Sequence, residues 1–75
     1  MRKTVVEVDL EKLIAERNKN GYSFSDIAYT LGYKTPTGYW LIEHGERGVS
    51  VAVLYKLAKL YGKPMEHFIK TSEKK

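Results

Sequence analysis

The sequence predicts an all-α fold, with five short helices in one compact domain behind a short extended arm. Apolar residues recur three and four positions apart in successive segments, which is the period of a helix with one buried face. A serine, threonine or aspartate precedes most of these segments and a glycine follows most of them, as at the beginnings and ends of helices. The 75 residues include no cysteine, so the core and not disulfides must hold the domain together.

The chain begins with a segment, residues 1–8, that we expect to be an extended arm. Its β-branched run, TVVEV, is too short for more than one edge strand, and an arm is the simpler interpretation. Asp9 is expected to cap a first helix that ends at Gly21, with Leu13 and Ile14 on its buried side.

Ser23 and Asp26 predict the start of the second helix, because their spacing is that of a capping box with aspartate in the place of glutamate. Gly32 would end this helix. Its buried stripe is expected to contain Ile27, Ala28 and Leu31.

Thr35 and Pro36 predict a third helix over residues 36–44, with Thr35 as the cap and proline at the first helical position. Tyr39 and Ile42 lie three positions apart and are expected to point into the core. The outer side would then carry Thr37, Gly38, Trp40, Leu41 and His44.

Ser50 is expected to cap a fourth helix that ends at Gly62. The buried stripe of this helix would be Leu54, Leu57, Ala58 and Tyr61. Pro64 would open a short fifth helix, and residues 70–75 would be a polar tail. The fifth helix would place Met65, Phe68 and Ile69 on one side, either as core or as a dimer interface. The helical domain would thus span residues 9–69 between arm and tail.

Composition narrows the classes of function. The net charge of +4 permits a polyanionic partner, although many ordinary soluble domains carry a similar charge. The longest apolar run, residues 51–55, is too short to span a membrane, and no signal peptide is visible, so a cytoplasmic protein is expected. His44 and His67 are too isolated for a metal pair, and neither a cysteine nucleophile nor a glycine-rich phosphate loop occurs. We therefore expect no enzyme, no metal and no cofactor.

The order and spacing of these features resemble the lambda-repressor-like helix-turn-helix family, of the Cro/repressor or xenobiotic-response-element type. The resemblance spans residues 9–69. It rests on Arg17 six residues before Ser23, on Ile27-Ala28 and Leu31-Gly32, on Ile42-Glu43-His44-Gly45, and on Ser50 followed by LYKLAKLYG. It implies a repressor-like transcriptional regulator that binds duplex DNA sequence-specifically, as a homodimer, with its third helix in the major groove.

Individual roles follow from the same resemblance. Arg17, which falls on the inner edge of the first helix, would pair with Glu43, and an inward arginine needs such a carboxylate. Base contacts would be made by Thr35, Thr37, Gly38, Trp40 and Leu41. Phosphate contacts would be made by Ser23, Phe24, Lys34, His44 and Arg47.

The predicted base-contacting face is unusual because residues 36–44 include no Arg, Lys, Asn or Gln, the residues that pair best with base edges. Sequence preference would have to come from threonine hydroxyls, from contacts of Trp40 and Leu41 with thymine methyl groups, and from DNA shape. Alternatively, Trp40 and Leu41 would form an apolar patch for a protein partner. In a third interpretation, Trp40 packs back over the fourth helix as part of the core.

Overall fold

The structure is a computed structural model that describes the backbone of residues 3–74 and the side chains of residues 6–71. Met1, Arg2 and Lys75, at the outer ends of the predicted arm and tail, lie outside the described residues. The elements are strand β1 (Lys3–Val8), helices α1 (Leu10–Asn20), α2 (Phe24–Leu31), α3 (Thr37–Glu43) and α4 (Val51–Tyr61), a one-turn 3₁₀ helix (Met65–Phe68) and strand β2 (Ile69–Lys74).

Three of the helices begin and end at the residues that the sequence predicts. The caps that accept a hydrogen bond from the amide three positions later are Asp9, Ser23 and Ser50. The residues that end these helices with positive φ, where glycine is favoured, are Gly21, Gly32 and Gly62. All of these helices are short, and none over residues 3–74 is both long and apolar enough to cross a membrane.

The predicted fold class is wrong, because residues 3–74 form four α-helices, one 3₁₀ turn and two strands instead of five α-helices alone. The segments expected to be an arm and a tail pair as two antiparallel strands, with Val8 opposite Ile69 and Lys3 opposite Lys74. The main-chain bond from the Asp9 amide to the Phe68 carbonyl, 2.7 Å long, continues this pairing to the start of α1. Backbone hydrogen bonds therefore join residues 3–8 to residues 69–74, a pairing that side-chain periodicity does not predict.

The expected fifth helix is a single 3₁₀ turn. The His67 amide bonds the Pro64 carbonyl at 3.0 Å, and Ile69 already has the extended dihedrals φ −118° and ψ 135°. Apolar residues three and four positions apart fit a single turn as well as a longer helix. Here the turn ends at Phe68, and Ile69 begins the paired strand β2. Phe68 is fully buried, and Met65 and Ile69 are half-buried and pack against the core, so all three residues contribute to the core.

Helix α3 starts one residue later than expected, and Thr35 does not cap it. Pro36 occupies the cap position with φ −61°, and its carbonyl accepts the Trp40 amide at 3.1 Å. No side-chain cap bond is present at this end in the described part of the chain. Because the proline already has helical φ, the backbone enters the helix without a hydroxyl cap.

A single apolar core connects all four α-helices and the 3₁₀ turn. Its fully buried large side chains are Tyr39, Phe68, Leu13, Ile27, Ile42 and Leu57. Two of these, Tyr39 and Ile42, belong to α3, so the inner side of this short helix is fixed by the core. That attachment determines which side of α3 faces outward.

Candidate nucleic-acid interface

Helix α3 is attached to α1 by the predicted pair of Arg17 and Glu43. The Arg17 Nε and Nη2 atoms lie 2.7 and 3.1 Å from the two oxygens of Glu43, so the contact is bidentate. The Glu43 side chain is 2% exposed and that of Arg17 is 14% exposed. The hydrogen bonds to Glu43 raise the pKa of Arg17 above its ordinary value, and burial opposes them in part. The pair therefore fixes the C-terminal end of α3 from inside the domain.

The opposite side of α3 is open to solvent. Its outer face, as we use the term, consists of Thr37, Trp40, Leu41 and His44. Leu41 is half-buried and the other three residues are exposed. Trp40 is 39% exposed, which contradicts the interpretation in which this tryptophan completes the core.

Trp40 and His44 form a stacked pair on this outer face. Their rings are 3.7 Å apart and inclined by 16°. The Nδ1 atom of His44 lies 2.9 Å from the Trp40 carbonyl oxygen, so Nδ1 must carry the proton and donate it. In the neutral ring Nε2 is then an acceptor, so a hydrogen bond from His44 to a phosphate oxygen would require the doubly protonated ring.

Gly38 does not belong to the outer face, and its predicted position there is wrong. The residue is buried, and a Cβ atom built on it would lie only 2.9 and 3.0 Å from two ring atoms of Tyr33. Gly38 therefore makes room for an aromatic ring that crosses the first turn of α3. The helical period alone could not reveal this, because the covering residue comes from the preceding loop.

Arg47 lies beside Gly38, although it follows α3 in the chain. Its amide donates to the Leu41 carbonyl at 3.2 Å, which attaches the loop to the helix. Its guanidinium carbon is 5.4 Å from the centre of the Tyr33 ring, within the range of a cation–π contact. Tyr33, which the sequence analysis did not select, thus places the exposed cation next to the first turn of α3.

The start of α2 contains two further predicted phosphate contacts, Ser23 and Phe24. Ser23 and Asp26 form the complete capping box, with bonds of 2.9 and 3.1 Å, so both polar groups of Ser23 are engaged. The Phe24 ring lies 4.2 Å below the Arg17 guanidinium carbon and packs near Tyr39. The hydroxyl hydrogen of Ser23 stays available to donate to an outside anion, as do main-chain amides of the first turn, whereas the Phe24 ring carries no donor.

Lys34 and Thr35 are exposed in the loop between α2 and α3, on the N-terminal side of the outer face. Over residues 23–44 the sequence has one lysine against the two carboxylates of Asp26 and Glu43. The Glu43 carboxylate is buried and paired with Arg17, so its charge is balanced within the domain. Lys34 and Arg47 therefore border an outer face that carries no carboxylate of its own.

No group of three or more metal-ligating side chains occurs among the residues that the structure describes. Searches of protein-family models, curated proteins and solved structures return no match for the chain. The geometry of this surface is therefore the basis for the function proposed below.

Proposed function

We propose that this chain is a sequence-specific, duplex-DNA-binding regulator of transcription, acting as a repressor, with α3 in the major groove. The main support for the proposal is that one side of α3 is buried in the core and the other is exposed. Buried Tyr39, Ile42 and Glu43 fix one side, while the outer face is open to solvent. A short helix presented in this way after a five-residue loop fits a major groove about 12 Å wide.

The charges around α3 support a polyanionic partner. Lys34 is exposed in the loop before α3, the Arg47 guanidinium lies by its first turn, and the one carboxylate on α3 is paired internally with Arg17. Phosphate contacts of this kind supply much of the affinity of DNA-binding proteins and orient them on the duplex. The resemblance of residues 9–69 to the lambda-repressor-like family remains part of the proposal, as does a cytoplasmic location.

The proposal includes a homodimer. In the described part of the chain β1 and β2 form a sheet of only two strands, so each strand has one open edge. Two-stranded sheets are marginally stable alone, and pairing of like edges about a two-fold axis would give a symmetric four-stranded sheet. Sedimentation equilibrium should give twice the chain mass of 8.6 kDa at micromolar concentrations. A monomer at 100 µM would remove this part of the proposal.

The second candidate is a protein partner that binds Trp40 and Leu41. Its specific support is the 39% exposure of Trp40, since tryptophan is enriched where protein interfaces concentrate their energy. The absence of Arg, Lys, Asn and Gln from α3 favours it as well. DNA is the first choice because Arg47 and Lys34 border the same face.

A charge-reversal pair tests the DNA proposal. Binding of a fluorescein-labelled random duplex would be measured by anisotropy for the original chain, for Lys34→Glu and for Lys63→Glu. Lys63 lies in a groove with Tyr55 and Met65 that includes no residue of α3, so the two variants change the net charge equally at separate places. We expect Lys34→Glu to weaken binding about tenfold or more and Lys63→Glu to have a smaller effect. Equal losses, or no binding by the original chain, would contradict the proposed interface.

A further inference from the structure

At the first turn of α3, side chains from outside the helix occupy the space next to Gly38. At Gly38 an added Cβ would meet Tyr33 Cγ at 2.9 Å and Arg47 Nη1 at 3.3 Å. One of these neighbours is an aromatic ring and the other is a cation. The missing side chain of Gly38 therefore allows an arginine from outside the helix to lie against its first turn.

The path of Arg47 explains how this residue reaches that position. Its main chain is tied to Leu41, near the C-terminal end of α3, and its side chain extends back to Gly38, near the N-terminal end. Gly38 lies roughly 100° around the helix axis from Thr37, adjacent to the outer face and on the side of Leu41. The guanidinium consequently borders the part of a recognition helix that meets base edges, which is its N-terminal part.

We propose that Arg47 reads a base, and that this base is guanine, in addition to any contact that it makes with phosphate. This inference rests on the proposed DNA-binding function and names a specificity residue for it. Arginine pairs with guanine through two parallel hydrogen bonds, to O6 and N7, which no residue of α3 can provide. The cation–π contact with Tyr33 restrains the planar guanidinium before DNA arrives, so less freedom is lost on binding.

Selection from a randomised pool of 20-base-pair duplexes tests the inference without a known operator. The original chain, Arg47→Lys, Arg47→Ala and Lys34→Ala would each be used for enrichment and sequencing. We expect the original chain to enrich a site in which each half-site has one G·C pair preferred about 5- to 150-fold, the range that a bidentate contact provides. Both Arg47 variants should lose the preference at that pair and keep it elsewhere, because lysine retains the charge but not the paired donors. Lys34→Ala should weaken binding without changing the preferred sequence.

Two different results would separate a wrong role for Arg47 from a wrong function for the chain. If the Arg47 variants enrich the same sequence as the original chain, Arg47 contacts phosphate only and the inference is overturned, while DNA binding stands. If the original chain enriches no duplex, the proposed function fails and the inference with it. Arg47 is exposed, so its variants are expected to fold, and a thermal melt of each variant checks this.

Discussion

Arg17 on α1 and Glu43 on α3 form a bidentate ion pair across 26 positions of sequence, with the carboxylate side chain 2% exposed. The pair brings the end of the candidate DNA-contacting helix against the first helix of the domain. It also removes a negative charge from the surface at which phosphates would approach. One interaction thus affects both the position of α3 and the electrostatics of its outer face.

Removal of one partner of this pair should be costly. Glu43→Ala leaves the Arg17 guanidinium largely buried without a carboxylate, and we expect a loss of about 3 to 5 kcal/mol in the free energy of unfolding. Glu46→Ala, which removes an exposed carboxylate from the next loop, should change it by less than about 0.5 kcal/mol. The double variant Arg17→Met, Glu43→Leu should recover most of the loss. Urea denaturation followed by circular dichroism measures all three, and an unchanged midpoint for Glu43→Ala would refute the role given to the pair.

Gly38→Ala should destabilise the domain although alanine favours helices. The added Cβ must displace the Tyr33 ring, at about 1 to 3 kcal/mol, against about 1 kcal/mol gained in helix propensity. We expect a net loss of about 1 kcal/mol by urea denaturation. Gly48→Ala is the control, since no described atom would lie within 4 Å of its Cβ. In a Tyr33→Ala background the Gly38 substitution should cease to be harmful, and a loss that persists there would contradict the proposed contact.

Tyr61 should make the domain sensitive to alkaline pH. Burial raises the pKa of Tyr61 to about 12, from an ordinary 10.0, so the unfolded chain loses this proton first. The stability associated with the protonated phenol is complete below pH 10 and falls by about 1.4 kcal/mol per pH unit between pH 10 and 12. Burial raises the pKa of Tyr39 as well, which adds to the decline.

Unfolding of Tyr61→Phe at several pH values isolates this contribution. Among the described residues the Tyr61 hydroxyl has no hydrogen-bond partner, so its removal should be neutral or slightly stabilising at pH 7. Between pH 10 and 12 the decline should be shallower than in the original chain. Tyr29→Phe changes a residue that is 86% exposed and should leave the profile unaltered. Parallel profiles for Tyr61→Phe and the original chain would show that burial of Tyr61 does not control the decline.

Local chemistry made much of the helical part predictable from sequence. Capping hydroxyls and carboxylates act three positions away and terminal glycines act at their own position, so Ser23 and Gly32 delimit α2 without knowledge of the rest of the fold. The sheet depends instead on two segments that are far apart in the sequence. The polar composition of KTSEK alone predicts a tail, and this segment is a strand because it pairs with β1. Local patterns carry no information about that pairing.

The site was predictable to a smaller extent for the same reason. Helical spacing correctly places Trp40 and His44 on the open side of α3. It fails for Gly38, because Tyr33 folds back from the preceding loop and covers that position. It also cannot place Arg47, whose side chain lies next to Gly38 through contacts outside the helix. Contacts between loops and helices, and not the helices themselves, were the missing information.

Trp40 provides a direct spectroscopic reporter, since it is the only tryptophan in the chain. In the free protein its exposed indole should be accessible to acrylamide. Saturation with a bound duplex should reduce the quenching constant and change the emission, because the outer face of α3 would be covered. Trp40→Phe, which lacks this emission, gives the background signal. Unchanged emission and quenching at saturation would place the DNA on another surface.

The salt dependence of binding to a random-sequence duplex tests the central claim most directly. Each phosphate neutralised by a cationic side chain should lower the log–log slope of affinity against salt by about 0.9. For an interface that uses Lys34 and Arg47 with further basic residues, we predict measurable binding near 100 mM salt and a steep negative slope. A flat response, or no binding near 100 mM salt, would contradict DNA as the partner and leave the apolar surface of Trp40 and Leu41 for a protein.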